Sequence, residues 1–82
     1  MYLIVRVKGP GYEDTAELRD DRAECSYGGP VLVLRGKVLG PGDLTPGSMV
    51  VVLFRSARIG PAWALVEKAR DAGFPVTVEP VG

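Results

Sequence analysis

VVVLFRSARIGPAWALVEKARDAGFPVTVEP occupies residues 50–80 and decides the fold. It reads as a strand, a turn, a helix and a second strand. Met49 to Phe54 is apolar on both faces, which predicts a central strand covered on both sides or covered by a partner. Pro61 suits the first helical position, with Gly60 as the cap, because the amide that proline lacks has no helical partner there. Ala62, Leu65, Val66, Ala69 and Ala72 recur at helical spacing, with Glu67, Lys68, Arg70 and Asp71 opposite. Gly73 supplies a left-handed cap, which places Phe74 against Ala69 in a Schellman arrangement, and Pro75 prevents the helix from continuing. Val76, Val78 and Phe74 then point to a last strand. So short a return from helix to strand predicts a parallel crossover.

Upstream, Tyr2 to Lys8 alternates, with Leu3, Val5 and Val7 on one side and Ile4, Arg6 and Lys8 on the other, as in a half-buried strand. Gly9-Pro10-Gly11 ends it. Residues 12–21 fit a helix poorly, because Glu13/Glu17 and Glu17/Asp21 would repel at i,i+4, so a strand or loop is expected. Arg22 to Tyr27 alternates again, and Gly28-Gly29 is a hairpin signal. Val31 to Leu39 is a further apolar run. Pro46-Gly47 suits the centre of a type II turn. The expected architecture is α+β: a mostly antiparallel sheet of about five strands, one helix packed on a face, and a C-terminal β-α-β crossover. The 82 residues make a single domain near the size at which one core becomes marginal, with roughly 60% of the unfolded surface buried.

Ten cations balance ten carboxylates, which argues against a dedicated DNA binder. The charges are segregated. Residues 13–24 hold six carboxylates against Arg19 and Arg22, a local balance of −4, leaving +4 elsewhere. Opposed charged surfaces of this kind suit a partner or a second copy. The lone Cys25 makes no internal disulfide, and no segment reaches the ~18 apolar residues of a membrane span, so a cytoplasmic setting is expected. The chain has no Asn, Gln or His and is rich in Arg and Pro. Heat adaptation and a GC-rich genome explain that equally well.

Four features bear on chemistry. Arg55, Ser56, Arg58 and Gly60 lie where a parallel strand meets a helix, where an anion or other phosphate-bearing ligand finds free amides. The turn matches neither GxxxxGK[ST] nor GxGxxG, however, and a plain helix start is the commoner reading. Arg6, Lys8, Arg35 and Lys37, with Tyr2, would form a basic sheet face if the first and third strands share it, a surface for RNA or another nucleic acid. Basic side chains also guard strand edges. Trp63, off the helical stripe, is a candidate interface anchor. Without histidine, Cys25 lacks the usual base, so no catalytic residue is assigned. The acidic run lacks calcium-loop spacing, so no metal or cofactor is assigned.

ALVEKARDAGFPVTVEP, residues 64–80, resembles the helix-to-strand half of peptidoglycan-binding SPOR domains. It is also similar to the last helix and strand of anticodon-binding domains in class II aminoacyl-tRNA synthetases. The repeated β-α-β half of the SPOR domain is missing, and the synthetase domain is longer and mostly parallel, so the resemblance implies membership of neither family. The expected function is a small, non-catalytic protein-interaction or regulatory module that forms a homo-oligomer. The alternative is a binder of RNA or a phosphate-bearing ligand; an enzyme comes third.

Overall fold

A computed structural model describes residues 2–20, 29–54 and 60–81. The expected strand from Arg22 to Tyr27, with Cys25, lies outside them. The elements are β1 (Tyr2–Gly9), β2 (Tyr12–Arg19), β3 (Val31–Leu34), β4 (Lys37–Leu39), β5 (Met49–Phe54), α1 (Gly60–Asp71) and β6 (Val76–Pro80). The strands form one sheet in the order β4-β3-β2-β1-β5-β6. Every neighbouring pair is antiparallel except β5 and β6, which are parallel and joined through α1. The fold is α+β.

Among the described residues the sheet has six strands, not the expected five. Residues 31–39 are two strands rather than one, because the chain reverses at Arg35 and Gly36, both at positive φ (51° and 79°). Two left-handed residues in succession are the signature of a type I′ hairpin, whose twist matches that of the strands it joins. Residues 12–19 are a strand, paired along their length with β1 from Tyr2↔Arg19 to Gly9↔Tyr12. Gly11, at φ 82°, follows Pro10 at the second central position of that hairpin turn. At Pro46-Gly47 the expected type II turn is present: Gly47 has φ 87°, and the Ser48 amide donates to the Thr45 carbonyl at 3.1 Å.

Period-two alternation sorts the side chains. On one face Val5, Val7, Ala16, Leu18, Leu32, Val50 and Val52 are buried beneath Leu65, Val66 and Ala69 of α1 and Phe74. Each valine, leucine or phenylalanine among them contributes about 1.5–3 kcal/mol by leaving water. Helix α1 ends as its sequence dictates. The Phe74 amide donates to the Ala69 carbonyl (3.0 Å) and that of Gly73 to Arg70 (3.1 Å), with Gly73 at φ 108°. These are the two hydrogen bonds of a Schellman motif, and Ala69 and Phe74 are both buried in the core. Lys68 and Arg70 in the last turn complement the helix dipole. Among the described residues no helix is long and apolar enough to cross a membrane.

Candidate functional site

Helix α1 covers one face of the sheet. The residues that alternate with the core positions therefore make a second, open face. Strand β1 gives it Tyr2, Ile4, Arg6 and Lys8. Their pairing partners on β2 put Glu13, Thr15, Glu17 and Arg19 beside them. Val33 and Val38 extend the face through β3 and β4, and Met49, Leu53, Thr77 and Glu79 extend it through β5 and β6, while Val31 and Val51 on the same side are buried.

Tyr2 (63% exposed) and Ile4 (53%) leave much of their apolar surface in water, as do Val38, Met49 and Leu53. Ile4 and Leu53 are each two residues on from the last β1–β5 pair, Arg6↔Val51, and so lie on the same face of the sheet. Ile4, Thr15, Glu17, Arg19 and Val33, rimmed by the Arg35-Gly36 turn, surround a shallow depression of about 400 Å³. It is broad and open to solvent, so it neither excludes water nor encloses a small molecule. Such a surface suits contact with another macromolecule.

Four of the charges on this face are paired. Arg6 donates to Glu13 at 2.8 Å, on the diagonal across the β1–β2 hairpin. Arg19 donates to Glu17, two residues away on the same side of β2, at 2.8 Å. The hydrogen bond from Arg6 foremost, together with the positive charge of Lys8 opposite, holds the Glu13 carboxyl below its ordinary pKa.

The positions proposed for nucleic acid divide between surfaces. Tyr2, Arg6 and Lys8 share the open face. Strand β2 lies between β1 and β3, however, so Glu13 and Glu17 interleave with the cations. Arg35 stands at the β3–β4 turn and donates to Asp14 at 2.5 Å, a residue whose pairing partner, Val7, belongs to the core face. Lys37 pairs with Leu34 on the helix side of the sheet. Of the proposed anion turn, Arg55, Ser56 and Arg58 lie outside the described residues. Gly60 is the exposed first residue of α1, at φ 45°.

Trp63 is 38% exposed on the outer side of α1, and its indole N–H donates to Glu67 at 2.9 Å, one turn on. Sequence reasoning passed over the apolar members of the open face, Ile4 and Leu53. Their signal is the spacing itself, an aliphatic residue at each position that alternates with the core.

No family model, no curated protein and no solved structure matches this chain.

Proposed function

We propose that the chain is a non-catalytic protein-interaction module that associates with copies of itself through the open face of its sheet. The observation that supports this reading is the composition of that face. It places exposed Tyr2, Ile4, Met49 and Leu53 among three cations (Arg6, Lys8, Arg19) and three carboxylates (Glu13, Glu17, Glu79). Equal numbers of each charge let such a face meet a copy of itself about a two-fold axis without net repulsion, as an isologous interface requires. Its apolar residues supply the burial, and the charges set the orientation.

Sedimentation at micromolar concentration tests the reading. The wild type is expected to run heavier than its 8.7 kDa monomer, and an Ile4→Glu/Leu53→Glu variant is expected to run lighter than the wild type with its fold intact. A wild type that remains monomeric at these concentrations overturns it. Steep, salt-sensitive binding to RNA by that monomer would favour the nucleic-acid alternative instead.

A further inference from the structure

A second surface offers backbone rather than side chains. Strand β6 is an edge, bonded only to β5 among the described strands. The Val50 amide donates to the Pro75 carbonyl at 2.8 Å, and Val50 pairs with Val76. In a parallel ladder this register directs the amides and carbonyls of Thr77 and Glu79 inward to β5. The N–H and C=O groups of Val76 and Val78, and the carbonyl of Pro80, therefore point away from the sheet. Protein edges are usually blunted by lysine, bulges or proline. The opposite edge, β4, is only three residues long and begins with Lys37. Strand β6 spans five residues without a cation, and Pro80 removes one donor at its end only.

We infer that this edge pairs with the same edge of a second copy, β6 antiparallel to β6 about a two-fold axis through Val78. In that register the two Val78 residues exchange both backbone bonds, and each Val76 amide donates to the Pro80 carbonyl of the other copy. Pro80 returns no amide, so each Val76 carbonyl, at the two ends of the paired segment, stays with solvent. Each Glu79 meets a Thr77 hydroxyl instead of another carboxylate, so like charges do not oppose. Val76 and Val78, half-buried on the core side, gain cover.

The helix supplies the rest of the seam. Lys68 of α1 bonds to Asp20, just after β2, at 2.8 Å, so its flank of the helix faces the β2 side. Arg70 lies about 200° round from Lys68 at ~3.6 residues per turn, and Trp63 is two turns before Arg70. That flank faces the β6 side, where the two-fold axis brings it against its counterpart.

This inference shares with the proposed function only the claim of self-association, and it uses a different surface. Two measurements test it. In the wild type, the outward amides of Val76 and Val78 exchange slowly at high protein concentration and faster on dilution. In a Cys25→Ser background, Val78→Cys forms a disulfide-linked dimer on mild oxidation, because directly paired Cα atoms lie ~5.5 Å apart, within disulfide reach. An open-face dimer leaves position 78 on the far side of the sheet and forms no such bond. Association that Ile4→Glu/Leu53→Glu abolishes, with no cross-link at position 78 and fast exchange at Val76 and Val78, overturns the edge pairing and leaves the open-face reading standing. Cross-linking at position 78 that survives the open-face substitutions establishes the edge pairing.

Discussion

Tyr12 and Ser48 share a hydrogen bond of 2.7 Å between their hydroxyls, and the bond fixes an aromatic ring over a residue that has no side chain. Ser48 is the buried polar residue of the described chain. The ring of Tyr12 lies so close over Gly9 that a Cβ there would stand 2.2 Å from Cε1. Gly9→Ala must therefore swing the ring away and break its bond to Ser48. A loss of ~1–3 kcal/mol is expected in chemical denaturation. Tyr12→Phe, which only leaves the Ser48 hydroxyl unpaired, costs ~1 kcal/mol. In a Tyr12→Ala background the Gly9→Ala cost should nearly vanish; an undiminished cost would mean that the ring is not its cause.

Gly73 closes α1 at φ 108°, where a side chain is strained regardless of space. Gly73→Ala is expected to lower stability by ~1–2 kcal/mol. Phe74→Ala, which empties a core position 2% exposed, is expected to cost ~3–5 kcal/mol. Equal effects in thermal melts would show that the cap matters only through the aromatic contact.

The C-terminal half was legible because its signals are local. Pro61, Gly73 and Pro75 each act on the backbone at their own position, whatever the rest of the chain does. The hairpin within residues 31–39 was not legible, since Arg-Gly is an unusual pair for a type I′ turn and aliphatic residues continue on both sides of it. The surface of the sheet was less legible still. Whether Arg6 and Lys37 share a face depends on strand order, and strand order is set by long-range packing. Strand β2 inserts between β1 and β3, and its Glu13 and Glu17 neutralise the face that the cations alone would have made basic.

Arg35 holds φ 51°, a conformation that costs a residue with a Cβ about 1–2 kcal/mol. Its pairing with Asp14 does not offset this, because an ion pair with an arginine 81% exposed contributes ~0–1 kcal/mol. Arg35→Asn, which tolerates the left-handed region, is therefore expected to raise stability by ~0.5–1 kcal/mol. A decrease on denaturation would show that the ion pair outweighs the strain.

Glu13 sets the direction of one pH effect. Its carboxyl is held below the ordinary value by the hydrogen bond from Arg6 first and by the charge of Lys8. A group depressed in the folded state contributes stability above its unfolded pKa, and that contribution is lost as pH falls through the folded value. An NMR titration should place the Glu13 midpoint below that of an unperturbed glutamate, and Arg6→Gln should raise it. Added salt should shrink the difference, as this pair is exposed. A midpoint that Arg6→Gln leaves unmoved would assign the shift to another cause.

Trp63 is the chain's one tryptophan, so its emission reports on a single place. The indole is 38% exposed and tied to Glu67, away from the core stripe of α1. Trp63→Ala should accordingly change monomer stability by no more than ~0.5 kcal/mol. If its flank lies at the β6 seam, association buries the ring. The emission should then move to shorter wavelength as concentration rises through the dimerisation range, and Trp63→Ala should weaken association about tenfold or more, a loss of ~1.4 kcal/mol. The Ile4→Glu/Leu53→Glu variant, altered on the other face, should keep the emission shift. A spectrum constant across concentrations at which sedimentation shows dimer would exclude Trp63 from the interface and leave the open face as the contact.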